Sequence, residues 1–160
     1  NNLIMNIKKI FTLLLVISFV LLSACGYQPI FSKKQLNFNI KSITFNSGDV
    51  QINKILNQKL KRYINNENNN IYYDLIINSN KLINVTSRDS KGKAQTYRAE
   101  ITVNIIATNN KNQIINKEFK LSNNYNSESN STRLKEIENK ITNNLSTIIS
   151  DQIILALMNK

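Results

Sequence analysis

The stretch from Tyr97 to Ala107 leaves this chain little choice of fold. Tyr97, Ala99, Ile101, Val103, Ile105 and Ala107 occupy every second position, and Arg98, Glu100, Thr102 and Asn104 stand between them. Successive side chains of a strand point to opposite faces, so this alternation puts one face in a core and the other in water. Such a strand needs hydrogen-bonded neighbours in its plane and a second layer over its apolar face.

The neighbours are legible on both sides. Upstream, Ile71 to Asn84 has strand character. Tyr73, Leu75 and Ile77 alternate, and Leu82, Ile83 and Val85 extend the run after a polar break. Ser87 to Lys93 reads as a polar hairpin tip, with Gly92 as its positive-φ residue. Downstream, Asn109–Asn112 is a tight turn, and Gln113 to Leu121 returns as a strand with Ile115, Phe119 and Leu121 on one face. Lys117 interrupts that face, which places the strand at a sheet edge. A further strand starts at Leu36, where Leu36, Phe38 and Ile40 alternate with polar residues. Ile43 and Phe45 then change phase, as a bulge or a face switch would make them.

Two helical patterns supply the covering layer. Val50 to Ile64, capped by Asp49, carries Ile52, Ile55, Leu56, Leu60, Tyr63 and Ile64 on one stripe. After a polar loop from Ser122 to Ser131, the spacing predicts a long amphipathic helix from Thr132 to about Met158. Ser131 or Thr132 is its cap and Glu136 lies in its first turn. Its stripe includes Leu134, Ile137, Ile141, Leu145, Ile148, Ile149, Gln152, Leu155 and Ala156, and its last turns are apolar almost all round. The expected class is α+β in the order β-α-β-β-β-α, with two helices packed on one face of a four-stranded, mostly antiparallel sheet.

Ahead of this domain stands a different kind of segment. Lys8 and Lys9 precede an apolar run from Ile10 to Leu22, broken by Thr12 and Ser18. That run is well short of the ~20 residues a spanning helix needs, and with its basic flank it reads as a cleaved secretory signal. Met5 is the expected start of translation. Leu22-Ser23-Ala24-Cys25 looks like a bacterial lipobox, in which the Cys thiol is acylated and becomes the first mature residue. The other reading is an ordinary signal peptide with a chance Cys. Cys25 is the only Cys in the chain, so it has no partner within it for a disulfide. The expected organisation is a leader over 1–24, a lipidated segment over 25–35 and a single α+β domain over 36–160. Gly26, where an Asp would favour retention in the inner membrane, directs the protein to the outer membrane.

The chain has 21 basic and 10 acidic residues and a formal charge of +11. Loss of Lys8 and Lys9 with the leader leaves 19 basic residues against 10 acidic, or +9. That balance points to anionic partners, and outside the cytoplasm to phosphorylated glycolipid, acidic polysaccharide or an acidic protein surface instead of nucleic acid. No constellation for catalysis is visible. The chain has no His, its acids are scattered, and Gly26, Gly48 and Gly92 stand alone, so neither acid–base chemistry, a metal site nor a phosphate loop is expected. The only attached group expected is the diacylglyceryl and N-acyl lipid on Cys25. Arg88, Lys91, Lys93 and Arg98, with Lys81 nearby, lie on adjacent strand ends and their connecting tip, and are the candidate contacts for phosphate or carboxylate groups. The alternative is a solvated tip, with Arg98 paired to a neighbouring Glu.

Several of these features resemble one family. Cys25-Gly26-Tyr27-Gln28-Pro29-Ile30-Phe31 is similar to the mature start of the LPS-assembly lipoprotein LptE family, notably its alphaproteobacterial members. Tyr97-Arg98 on the third strand and the ending Asp151-Gln152-Ile153-Ile154-Leu155-Ala156-Leu157 are similar as well. The resemblance implies a non-enzymatic lipoprotein anchored on the periplasmic side of the outer membrane. It would plug the large β-barrel LptD, help the barrel assemble and take part in lipopolysaccharide transport to the cell surface. The runner-up reading is a lipid-anchored periplasmic accessory module of a transporter, with no barrel partner.

Overall fold

A computed structural model of the chain describes residues 37–64 and 70–159. The leader, Cys25, the Gly26–Phe31 segment and most of the Asn-rich loop after Ile64 lie outside the described residues. The described residues fall in one compact unit.

The element order is the expected one. Strand β1 (Asn39–Ser47) leads into helix α1 (Val50–Leu60), and a single 3-10 turn follows at Lys61–Tyr63. Strands β2 (Tyr72–Arg88), β3 (Ala94–Asn109) and β4 (Ile114–Asn126) come next, and helix α2 (Ser131–Met158) closes the chain. The strands lie side by side in the order β1-β2-β3-β4. β1 and β2 are parallel, joined by α1 as the crossover; the two remaining pairs are antiparallel hairpins.

The alternation in β3 behaves as its chemistry demands. Ala99, Ile101, Val103, Ile105 and Ala107 are buried, and they join Tyr73, Leu75 and Ile77 of β2 under the helices. α1 contributes Ile52, Leu56 and Leu60, and α2 contributes Leu145, Ile149, Ile153, Ile154 and Leu157. Phe38 fixes the lower corner, edge-on to Tyr73 at 5.8 Å and stacked on Tyr63 at 6.5 Å. The phase change in β1 is a register shift between Ile40 and Ser42. Lys41 is the extra residue, and Ile43 and Phe45 still pack against the core.

Four boundaries differ from the sequence reading, each for a local reason. Helix α1 ends at Leu60 and not at Ile64, because the chain tightens into the 3-10 turn and delivers Ile64 to a bridge beside Ile40. β2 has no break at Asn78-Ser79-Asn80. Ser79 is buried within the strand, and its hydroxyl donates to Asn53 Oδ1 on α1 at 2.7 Å. β4 runs past Leu121 to Asn126, absorbing half of the expected loop. The gain is Tyr125, which stacks on Tyr97 at 5.5 Å and donates to Glu138 Oε1 of α2 at 2.8 Å. Burial, and then the bond to Glu138, push the Tyr125 phenol well above its ordinary pKa and keep it a donor.

Helix α2 is capped by Asn130 and not by Ser131 or Thr132. The Asn130 side-chain oxygen Oδ1 accepts from the Thr132 and Arg133 amides at 2.9 and 3.2 Å, so the helix begins one residue early and its first turn holds no acid. Its buried stripe is also rotated from the expected one. Thr142, Ser146 and Ser150 are buried with Leu145 and Ile149, whereas Ile148 and Leu155 are 40% and 41% exposed.

Candidate functional site

The candidate cations lie on the β2–β3 hairpin, which extends beyond the end of β1. β1 makes its last pairing at Ser47, opposite Asn78, while β2 continues to Arg88. Gly48 turns the chain away at that point, at φ +132°, with its backbone pressed onto Ser79. Asp49 then caps α1, accepting from the amides of Gln51 and Ile52 at 2.9 and 3.0 Å. Its second carboxylate oxygen meets Lys81 Nζ at 3.1 Å. Burial alone would raise the Asp49 pKa. The bonds from the Ile52 amide, Lys81 and the Gln51 amide outweigh it and hold the carboxyl below the ordinary range. Lys81 is therefore neutralised at the base of the hairpin and leaves the candidate patch.

The tip is built around Asp89. One carboxylate oxygen accepts from the Lys91 and Lys93 amides at 2.9 and 2.8 Å, and the backbone closes with Asp89 N–H to Lys93 C=O at 2.8 Å. The Lys93 amide bond is the main cause of the lowered Asp89 pKa. Gly92 holds φ +81°, as the turn pattern required. Arg88 Nη1 donates to the Gly92 carbonyl at 2.9 Å, which ties the guanidinium to the turn. Asp89 Oδ1 is thus engaged by the turn's own amides and Oδ2 by Gln95 Nε2 at 3.4 Å, while Arg88, Lys91 and Lys93 are all exposed. Three cations against one carboxylate leave the tip at a net +2.

Arg98 sits apart. It pairs across the sheet with Asn84 and Asn124 on the exposed face and donates from Nε to Asn124 Oδ1 at 2.9 Å. At ~3.4 Å per residue it lies about 13 Å below Ala94, where the tip begins. The neighbouring Glu100 is taken by Lys120 at 2.9 Å, and the hydrogen bond that Lys120 donates to Glu100, with the carboxylate's charge, raises the Lys120 pKa. Among the described residues no carboxylate lies within ion-pair distance of Arg88, Lys91, Lys93 or Arg98. The structure therefore groups Arg88, Lys91 and Lys93 and separates Arg98 and Lys81 from them.

The sequence reading missed the character of the strand below the tip. Every residue from Leu82 to Arg88 is exposed, and Leu82, Ile83 and Val85 present apolar side chains to solvent on both faces. The available signal was length, since an upstream strand of nine residues cannot flank all seventeen of β2.

The site is a surface and not a cavity. A shallow groove of about 460 Å³ runs between α1 and α2, lined by Gln51, Lys54, Ile55, Gln58, Lys59 and Asn143 among others. Another of about 330 Å³ lies beside Tyr73 and Gln113. The hairpin cations line neither. Among the described residues no group of three His, Cys, Asp or Glu side chains is placed to hold a metal ion, and no helix is long and apolar enough to cross a membrane.

This architecture, a four-stranded mixed sheet with two helices on one face, is found in solved structures of bacterial lipoproteins. The crystal structure of rare lipoprotein B from Shewanella oneidensis matches 74% of this chain and 98% of its own, at a TM-score of 0.53 and 11% identity. The solution structure of lipoprotein B from Nitrosomonas europaea matches 79% and 88%, at a TM-score of 0.52 and 11% identity. At that identity the likeness concerns the fold. A search of curated proteins finds no match. The sequence profile of the family described as LptE, Lipopolysaccharide-assembly, matches residues 37–157, and the chain belongs to that family.

Proposed function

We propose that this chain is a lipoprotein held at the periplasmic side of the outer membrane by acylated Cys25. There it plugs a large LptD-like β-barrel, assists the barrel's assembly and takes part in moving lipopolysaccharide to the cell surface. The observation that carries the reading is the family match across residues 37–157, which spans the domain from before β1 to the last turn of α2. Two physical features support it. The sheet face away from the helices carries Arg98, Glu100, Thr102 and Asn104, with Ile76, Leu82 and Ile106 exposed among them, a mostly polar surface suited to a water-lined lumen. The hairpin presents Arg88, Lys91 and Lys93 on a turn whose one carboxylate is already engaged, and such cations suit the phosphates and carboxylates of a lipopolysaccharide head.

The mechanism is binding and hand-over without bond making or breaking. It calls for no catalytic residue and no cofactor beyond the lipid on Cys25. The test is affinity purification of the tagged, acylated chain from outer membranes of its host. A large β-barrel in stoichiometric amount is the expected result. Recovery of the chain without a barrel would instead favour an accessory module of a transporter and would overturn the plug.

A further inference from the structure

We infer that the free edge of β2 above the β1 terminus, Leu82 to Arg88, is a docking site for an extended, carboxylate-bearing segment of the barrel partner, which adds to the sheet as a further strand beside β2. The inference rests on the proposed function for the partner's identity and goes beyond it in naming the surface and the mode of contact.

The argument starts from the unpaired backbone. β2 bonds to β3 along its whole length, but β1 ends opposite Asn78. A strand with one neighbour leaves alternate N–H and C=O groups facing outwards, a template for another strand. Among the described residues none pairs with that edge above Asn78.

The other edges of this sheet are guarded along their length, whereas this one is regular from Leu82 to Val85 and shifts register only between Val85 and Arg88. The β4 edge carries Lys117, Glu118 and Lys120, all exposed. The β1 edge is bulged at Lys41, shifts register again between Phe45 and Ser47, and is bridged by Ile64 at Ile40. Charges and bulges of this kind are how sheets refuse further strands. Leu82-Ile83-Asn84-Val85-Thr86-Ser87 has no charge and no proline, and its register stays regular as far as Val85. Leu82, Ile83 and Val85 are 46%, 37% and 38% exposed, so each face offers apolar contacts to alternate side chains of an added strand.

Charge selects the occupant. Lys81 is satisfied by Asp49 at the lower end of the edge, whereas at the upper end Arg88, Lys91 and Lys93 share only Asp89, whose carboxylate is already engaged by the turn's amides and by Gln95. A second copy of this chain is a poor match. Antiparallel self-pairing centred on Asn84 would set Arg88 opposite Asn80 and Lys81 opposite Ser87, supply no acid, and bring together two chains that, with Lys8 and Lys9 removed, each carry 19 basic against 10 acidic residues, or +9. A partner strand with apolar residues at alternate positions and Asp or Glu near the tip satisfies backbone, apolar faces and charge together.

The test uses the intact complex of the acylated chain with its barrel. A photoreactive residue in place of Asn84 is expected to cross-link to the barrel polypeptide, at an extended stretch that contains Asp or Glu. The same residue in place of Glu118, on the guarded edge, is expected to give little product. Ile83→Lys with Val85→Lys, which adds charge to the edge, should shorten the lifetime of the complex about tenfold or more. Three outcomes overturn the inference while leaving the plug intact: an Asn84 cross-link to a second copy, one within the same chain, or none in a complex that is otherwise recovered whole. A wild-type chain that recovers no barrel overturns the plug and this inference together.

Discussion

Gly48 and Gly92 both hold positive φ, and a methyl group at each would meet different surroundings. At Gly92 a Cβ has open space, so Gly92→Ala pays only for the left-handed backbone, about 1–2 kcal/mol. At Gly48 a Cβ would collide with the side chain and backbone of Ser79, so Gly48→Ala adds a clash with a buried strand and should cost about 3 kcal/mol or more. Urea unfolding of the two variants should rank them in that order. Asp49 makes a pH prediction. Its folded pKa lies below the unfolded one, so its contribution is fully present above about pH 4 and disappears as pH falls through the folded value. Asp49→Asn keeps the cap and loses the Lys81 pair, which is about a quarter exposed on each side. It should lower stability at neutral pH by about 1 kcal/mol or less and flatten the loss of stability below pH 4, read as unfolding midpoints across a pH series. The cap itself was visible in the sequence, because Asp before an apolar-periodic run has a known role. Its partnership with Lys81 was not, because the two are far apart in sequence and meet only through the β1–β2 crossover.

Among the elements, β3 was the most legible and α2 the least. A strand's two-residue period tolerates no ambiguity about which face is buried, and from Tyr97 to Ala107 only Ile106, apolar on the exposed face, departs from it. A long helix has several competing stripes. The structure chose one containing Ser146 and Ser150, whose small side chains sit among Leu145, Ile149 and Ile153, and left Ile148 and Leu155 half-exposed. The Ser146 hydroxyl is buried with no hydrogen-bond partner among the described residues. Ser146→Ala removes that orphan and raises helix propensity, so it should stabilise the fold by up to about 1 kcal/mol, measured as a higher thermal midpoint. The extension of β4 to Asn126 escaped the sequence reading because Ser122-Asn123-Asn124 looks like a turn. Pairing with β3 decides it, through Tyr125 on Tyr97 and Glu138.

At the scale of the whole molecule, the sequence announced a basic α+β domain behind an expected lipid anchor, and the fold sorts its charges into different situations. Lys81 and Lys120 have acidic partners, Arg98 is held by an amide on the exposed sheet face, and Arg88, Lys91 and Lys93 crowd a turn that consumes its only carboxylate. That sorting was not legible from residue order, because it depends on where β1 stops and which strand faces meet. It is also the basis for proposing the tip as the place where this chain meets lipopolysaccharide. The most direct measurement is lipopolysaccharide binding by the acylated chain before it joins the barrel, where no partner carboxylate faces the tip, compared for the wild type, the tip variant Arg88→Glu/Lys91→Glu/Lys93→Glu, and Arg98→Glu. The account predicts a salt-sensitive affinity that falls by about a hundredfold or more in the tip variant, and by no more than about tenfold for Arg98→Glu. Equal affinity in all three would contradict it.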